Sequence, residues 1–173
     1  MKYYLIRESD QIKNTPHIIN WMKKIDKRNI TWGRYNKIPR VTTLYVEDNN
    51  FTVFPDVLSR PFFLITDKLH DILELYEPNM DYRQIVLIDK KKNKAVQYFM
   101  PHLQIVDCLG EGTVFNMDHS ELKQIVLDKN KIPDKTIFQL DRVSSRYVVV
   151  NLNVLESFLR RGAILQYEEL EVL

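Results

Sequence analysis

The densest group of side chains that could do chemistry lies within residues 102–120. Residues 107–120 of this segment read D-C-L-G-E-G-T-V-F-N-M-D-H-S. The candidates are one thiol, two imidazoles and three carboxylates, carried by His102, Asp107, Cys108, Glu111, Asp118 and His119. A metal site would use Asp107, Glu111 and His119, because carboxylates and imidazoles are common metal ligands. A thiol enzyme would use Cys108 as the nucleophile with either histidine as its base.

The same segment also has a purely structural interpretation. Gly110 and Gly112 are typical of a turn. Cys108 lies between Val106 and Leu109, as a small buried apolar residue would. The histidines of the chain have neither the H-x-x-x-H nor the H-E-x-x-H spacing of metal-binding helices, and the four glycines form no phosphate-binding loop. From the residues alone we therefore predict no catalytic residue, no metal and no cofactor.

Composition and charge restrict the classes of protein to which the chain can belong. With 173 residues, of which 45% are hydrophobic, the chain is long enough to fold around a core. Its 25 basic and 23 acidic residues give a net charge of +2, so no global field indicates nucleic acid or an anionic membrane. One cysteine excludes an internal disulfide, and no apolar window is long enough to cross a membrane. We expect a cytoplasmic protein without membrane association.

Three basic segments remain as candidates for binding. They are a hairpin loop with Lys90, Lys91, Lys92 and Lys94, the lysines of the first predicted helix, and the pair Arg160 and Arg161. Nucleic-acid binding requires such charges beside free aromatic faces, and Tyr98 and Phe99 flank the hairpin loop. A charged hairpin tip more commonly only keeps a sheet edge solvated. A weak nucleic-acid-binding module is therefore an alternative, and nucleic acid is not the partner that we expect.

The apolar pattern predicts the elements that must carry these side chains. Thr15 and Pro16 indicate the start of a helix that continues to about Arg28. Alternating apolar residues predict strands at residues 2–6, 41–46, 51–54, 62–65, 85–88, 95–99, 121–127, 136–140, 147–150 and 164–167. Residues 41–46 and 51–54 are expected to pair as a hairpin, and so are residues 85–88 and 95–99. Residues 121–127 could instead begin a helix, because so short a run has no decisive period.

A strand–helix unit occurs twice, at residues 60–73 and 146–159. Each copy contains an arginine, a short apolar run, a capping residue and a helix start. The copies share the pattern [DN]-x-L-x-x-[IF]-L, carried by Asp67, Leu69, Ile72 and Leu73 and by Asn153, Leu155, Phe158 and Leu159. We expect Thr66 or Asp67 to cap the first helix and Asn153 to cap the second. Because the flanking segments do not match, the pattern indicates one supersecondary device used twice, with Leu69 and Leu155 buried against the same sheet.

These elements predict an α+β fold in which a mixed, largely antiparallel sheet is covered by about three helices. We expect residues 1–173 to form a single domain. The prolines near position 60 allow residues 1–60 to form a small N-terminal lobe beside a core of residues 61–173.

Residues 60–173 resemble a family of bacterial immunity proteins encoded beside polymorphic toxins, long known only as a domain of unknown function. The similarity lies in the order of the motifs: a strand, a cap and a Leu-rich helix, then Tyr76-Glu77-Pro78, a hairpin with Tyr98, Val106-Asp107, and a late strand–helix unit ending in Arg161-Gly162. The resemblance implies a non-enzymatic protein that binds and neutralises a cognate toxin domain, and it implies no catalytic residue. The excess of basic residues departs from the acidic surface expected of a nuclease inhibitor.

We therefore expect an immunity-type binding protein whose partner is a toxin domain. The first alternative is a small metal-dependent or thiol enzyme that uses residues 102–120. The second alternative is the nucleic-acid-binding module with the charged hairpin loop.

Overall fold

A computed structural model of the chain describes residues 1–141 and 147–173. Two six-stranded sheets, each curled into a half-barrel, dominate this part of the chain, and a two-stranded ribbon is added to them. Strands account for 35% of the residues and helical turns for 19%. The predicted α+β fold, with one sheet under about three helices, is therefore wrong. The described residues contain three sheets and two α-helices, because much of the expected helix is strand or tight turn.

The strands and helices are named in chain order. The strands are β1 (Tyr3–Arg7), β2 (Ile18–Ile19), β3 (Val41–Val46), β4 (Val57–Leu58), β5 (Leu64–Thr66), β6 (Tyr82–Asp89), β7 (Lys94–Pro101), β8 (Ile105–Val106), β9 (Val114–Phe115), β10 (Leu122–Gln124), β11 (Val126–Leu127), β12 (Ile137–Leu140), β13 (Val148–Asn151) and β14 (Gln166–Val172). The α-helices are α1 (Asp67–Tyr76) and α2 (Leu152–Arg160). No helix in the described part is long and apolar enough to cross a membrane.

The first sheet has the strand order β2-β3-β6-β7-β5-β4. Within it β3 and β6 are parallel, and the other neighbours are antiparallel. The long hairpin of β6 and β7 confirms the strands predicted at residues 85–88 and 95–99. The second sheet has the order β11-β14-β1-β13-β12-β8, in which both outermost pairs are parallel. The separate ribbon consists of β9 and β10.

The helix predicted from Thr15 to Arg28 does not form. The chain there contains β2 and short 3₁₀ turns at Trp21–Lys23 and Lys27–Ile30. Asn20 has a φ of 53°, which is left-handed and interrupts any right-handed helix at that point. The predicted strand at residues 51–54 is a loop, so β3 pairs with β2 and β6 instead.

Both strand–helix units form as predicted, but the second cap differs. Asn151, and not Asn153, is the N-cap of α2, where its side-chain oxygen accepts a hydrogen bond of 3.0 Å from the N–H of Val154. Thr66 is the N-cap of α1, and that helix ends at Tyr76, just before Glu77 and a proline. The first residue of the second predicted unit, at position 146, lies outside the described residues.

A central core lies between the two sheets and contains both helices. Leu69 and Leu155 are 0% and 2% exposed and belong to this core, as predicted. The helices do not share a sheet, however, because α1 packs on β5 and β7 whereas α2 packs on β13 and β1. Each sheet also has an outer core, on the face that points away from the central core. Residues 18–38 cover the outer core of the first sheet, and residues 105–132 cover that of the second.

The two sheets share one topology. The order β3-β6-β7-β5-β4 in the first sheet corresponds to β11-β14-β1-β13-β12 in the second, with parallel and antiparallel pairs at the same places. In each, the helix follows the second strand of the hairpin formed by β4 and β5 or by β12 and β13. The chain is thus an internal structural repeat, with an N-terminal half of residues 1–89 and a C-terminal half of residues 94–173. The repeat extends beyond the unit found in the sequence.

The strand registers identify equivalent residues in the two halves. Ile65 and Val150 each precede a helix cap, and their partners across the hairpin are Val57 and Ile137. All four side chains lie in the central core. The same registers match three pairs on the outer faces, namely Leu58 with Phe138, Leu44 with Leu127, and Ile85 with Leu170. Because side chains alternate along a strand, this agreement shows that equivalent strands of the two halves bury equivalent faces.

The first strands of the two halves are exchanged. β1 belongs to the N-terminal half, yet it lies between β13 and β14 of the C-terminal half. β7 opens the C-terminal half, yet it lies between β5 and β6 of the N-terminal half. Each half therefore supplies an interior strand to the sheet of the other.

Candidate functional site

The segment that covers the second sheet contains most of the polar cluster predicted from the sequence, with Cys108 at its most buried point. The side chain of Cys108 is 0% exposed and packs beside Leu127 and Phe138 in the outer core of the second sheet. Burial and, to a smaller extent, the charge of Asp107 raise the pKa of the thiol to about 11. A thiol with this pKa is protonated at neutral pH and is therefore a poor nucleophile.

The two histidines of the cluster lie in different surroundings. The ring of His102 stacks on Tyr35 with a centroid distance of 4.0 Å, and Tyr35 belongs to the outer core of the first sheet. His119 is exposed in the turn of the β9–β10 ribbon, has a φ of 56°, and lies 5.3 Å from the ring of Phe115. Tyr35, on which His102 stacks, and Cys108 thus belong to different cores, whereas the alternative of a thiol enzyme needs one of the two histidines beside Cys108.

The three carboxylates of the cluster are at the surface. Asp118 accepts hydrogen bonds from the N–H and the hydroxyl of Ser120, at 3.1 and 2.7 Å, and these bonds lower the pKa of its carboxyl. Asp107 and Glu111 are exposed. The cluster therefore divides into a buried thiol, a stacked imidazole and a set of exposed turn residues.

A different trio is close enough to share an ion. Among the described residues, only His70, Asp71 and Glu74 on α1 place three potential metal-binding atoms within 4.8 Å of one another, and no residue of the predicted cluster belongs to this group. All three lie within one and a half turns of a single helix, so their proximity follows from helix geometry. The ring of His70 stacks on Phe99 at 4.0 Å, which gives it a packing role.

A cleft lies where the end of β1 meets the N-terminal segment that covers the first sheet. It has a volume of about 720 Å³, and both halves line it, with Glu8, Trp21 and Arg60 from one and Glu121 and Tyr147 from the other. Both signs of charge are present, so the cleft suits a polar ligand without favouring one charge.

Glu8 is a half-buried carboxyl group in this cleft. Burial raises the pKa of its carboxyl, while a hydrogen bond from Thr15 and the charge of Arg60 act in the opposite direction. Its backbone N–H donates a hydrogen bond of 2.9 Å to the hydroxyl of Ser59, which fixes the chain at the end of β1. The sequence did not identify this residue, because the burial of Glu8 depends on contacts with a distant part of the chain.

A second surface is formed by lysines from two distant segments. We call it the lysine face and define it by Lys24, Lys27, Lys90, Lys92 and Lys94. Lys24 and Lys90 both lie over the ring of Tyr45, at 5.8 and 4.3 Å from its centroid. Each such contact stabilises an ammonium group by roughly 0.5–1 kcal/mol at an exposed site. Tyr45 thus joins two basic segments that the sequence analysis treated as separate.

The remaining lysines of this group contact other residues. Lys27 lies over Trp21 at 5.2 Å, and Lys94 lies over Phe54 at the same distance. The Nζ of Lys92 donates a hydrogen bond of 3.3 Å to the backbone oxygen of Thr52. The five lysines therefore come from the 3₁₀ turns and from the β6–β7 hairpin, and four of them lie over the rings of Trp21, Tyr45 and Phe54.

The charge of the chain is strongly segregated. Residues 21–46 contain seven basic side chains and one acidic side chain, and residues 89–94 contain four basic and one acidic. The rest of the chain contains 14 basic and 21 acidic side chains, so it is acidic. The net charge of +2 conceals this division. A charge count by segment would have revealed it from sequence, but the fold was needed to place the two basic segments together.

Neither a protein-family model nor a curated protein matches this chain.

Proposed function

We propose that this chain is a non-enzymatic binding protein of the immunity type, which neutralises a bacterial toxin domain by covering part of its surface. The observation that carries the proposal is the segregated surface charge, with basic side chains gathered on the lysine face of an otherwise acidic chain. Segregated charge steers a complementary partner and fixes its orientation. The motif order of residues 60–173 supports the choice of an immunity protein among binding proteins.

Co-expression with a toxin domain encoded by a neighbouring gene tests this function. The chain and the toxin domain are placed under separate inducible promoters in one host, and viable cells are counted after induction. We expect the chain to restore growth by at least about tenfold, because binding at nanomolar affinity leaves little free toxin. Cells that die at the same rate with and without the chain would contradict the proposal. A core variant that does not fold, Leu73→Asp, serves as the negative control.

The enzyme alternative at residues 102–120 has a separate test. It requires either a bound metal or a reactive thiol among the six predicted residues. The variant with Cys108→Ala and His119→Ala removes the thiol and one candidate ligand. Elemental analysis without metal, together with unchanged protection by this variant, would leave the enzyme alternative unsupported. Loss of protection with the fold intact would instead favour it over the binding proposal.

A further inference from the structure

Two lysines of the lysine face bring like charges to one aromatic ring. Lys24 and Lys90 share the ring of Tyr45, and within the described residues no carboxylate lies at ion-pair distance from either. Several pairs elsewhere in the chain do neutralise lysines, such as Lys68 with Asp56 at 3.1 Å. Like charges held together lower the stability of a free protein, and an anionic partner removes that cost.

Two large apolar side chains project from the surface near the lysines. Phe51 is 72% exposed and precedes Thr52, whose backbone oxygen binds Lys92. Met22 is 73% exposed and follows Trp21, whose ring lies under Lys27. Phe and Met are enriched in the buried centres of protein interfaces, and an aromatic anchor that enters a pocket often dominates the binding energy.

The loop that carries Phe51 is held in place before any partner binds. The N–H of Phe51 donates a hydrogen bond of 2.9 Å to the side chain of Asn49, and the N–H of Val53 donates one of 2.8 Å to the backbone of Asn14. Lys92 adds a third contact to the loop. A preorganised anchor loses less conformational entropy on binding than a mobile one.

The aromatic rings of this face do not suit a nucleic acid. Bases stack on free aromatic faces, but the rings of Tyr45, Trp21 and Phe54 each lie under a lysine and are half-buried. Phe51, by contrast, is an exposed ring, with 72% of its surface accessible. The combination of covered rings, exposed apolar anchors and lysines fits an acidic protein surface with an apolar pocket.

We propose that the lysine face, with Phe51 as its apolar anchor, is the surface through which this chain binds an acidic surface of a protein partner. This inference rests on the proposed function and names the contact surface and the chemistry of the partner. It makes a basic nuclease groove an unsuitable target for this face, because like charges would meet.

The first test uses defined probes and does not depend on the toxin. A fluorescent poly-L-glutamate chain and an oligonucleotide of equal charge are titrated with the wild type, with a face variant carrying Lys24→Glu and Lys90→Glu, and with a matched control carrying Lys123→Glu and Lys129→Glu. All four lysines are exposed, and the two variants change the net charge equally. We expect the face variant to bind poly-L-glutamate at least about tenfold more weakly, and the control to stay within about twofold.

Two results of this test would overturn the inference. Equal weakening by both variants would show that the charge of the whole chain, and not this face, determines binding. Tighter binding of the oligonucleotide than of poly-L-glutamate, lost in the face variant, would make the face a nucleic-acid surface. Far-ultraviolet circular dichroism of each variant confirms that the fold is intact.

The second test separates this inference from the proposed function. In the co-expression assay, we expect Phe51→Ala and the face variant to lose protection, and the control variant to retain it. If the wild type and the face variant protect equally, the proposed function stands and the lysine face is not the contact surface. If the wild type gives no protection, the proposed function fails, and the poly-L-glutamate titration still decides whether the face binds acidic polypeptide.

Discussion

At the scale of single residues, Asn151 and Asn153 show how the fold chooses between two equally plausible caps. Both are asparagines near the start of α2, and both can accept a hydrogen bond from a free N–H. Asn151 is buried at the end of β13 and caps the helix, whereas Asn153 is exposed within the first turn. The pairing of β13 with β1 determines where the strand ends and therefore which asparagine becomes the cap.

We expect Asn151→Ala to lower the free energy of unfolding by about 1 kcal/mol, because the N–H of Val154 loses its acceptor. Asn153→Ala is the matched control and should change it by less than about 0.5 kcal/mol, since that side chain is exposed. Urea unfolding of both variants measures the difference. Equal losses would show that the cap had been assigned to the wrong residue.

Cys108 allows a second prediction at this scale. Its side chain is fully buried, and burial, followed by the charge of Asp107, raises the pKa of its thiol to about 11. The thiolate fraction at pH 8 is therefore very small, and the sulfur is shielded from reagents. We expect a chromogenic disulfide reagent to label the native protein at least about a hundredfold more slowly than the urea-unfolded protein. Rapid labelling of the native state would restore a reactive role for this cysteine.

At the scale of elements, the turn after each helix is tied to the start of a strand in the other half. After α1, Glu77 accepts hydrogen bonds from the N–H and the hydroxyl of Thr136, at 2.7 and 2.9 Å, and pairs with Lys135. After α2, the N–H of Ile164 donates a hydrogen bond of 2.6 Å to Asp56. These two contacts occupy equivalent places in the repeat, one before β12 and the other before β4.

The contact at Glu77 makes stability depend on pH. Burial alone would raise the pKa of this carboxyl, but the hydrogen bonds from Thr136 and Lys135 outweigh it and hold the pKa below its ordinary value. A lowered pKa in the folded state means that this stabilisation is complete above the ordinary glutamate pKa and is lost as the pH falls through the folded-state value.

We therefore expect Glu77→Gln to lower the free energy of unfolding by about 1 kcal/mol at pH 7. The difference from the wild type should shrink as the pH approaches 3, because the wild-type carboxyl is then increasingly protonated. Urea unfolding at several pH values measures this, with the exposed Glu168→Gln as the control. A difference that grows as the pH falls would contradict the sign of the shift.

At the scale of the whole molecule, the exchange of first strands makes the two halves depend on each other. β1 lies between two strands of the C-terminal half, and β7 lies between two strands of the N-terminal half. A half without its borrowed strand would expose unpaired backbone and part of the central core. The chain should therefore unfold as a unit, although its topology contains the same arrangement twice.

Splitting the chain in the hairpin loop tests this dependence. We expect fragments 1–91 and 92–173 to lack cooperative unfolding when separate and to co-purify in equal amounts when co-expressed, because each supplies an interior strand to the other. Leu5→Asp in the first fragment should abolish the association, since Leu5 is 3% exposed in the outer core of the second sheet. Cooperative unfolding of fragment 1–91 alone would contradict the exchange.

Features that depend on local sequence were predictable. The hairpin of β6 and β7 was predicted from alternation and a charged loop, and α1 from the apolar stripe of Leu69, Ile72 and Leu73. The helix predicted after Thr15 failed, because the left-handed Asn20 and the pairing of β2 with β3 outweighed its periodicity. Of the candidate site, the sequence identified the lysines of the hairpin but not Tyr45, which joins them to the turns around Lys24.

The sequence by itself determined the strand–helix unit and its second occurrence, because caps and helical stripes are encoded within about ten neighbouring residues. Only the tertiary structure decided that the two units belong to equivalent halves, that β1 and β7 are exchanged, and that Lys24 and Lys90 lie over one ring. These features come from pairings such as Tyr3 with Leu170, which join opposite ends of the chain. A local pattern carries no information about such pairings, since they form only where two distant strands find complementary faces and registers.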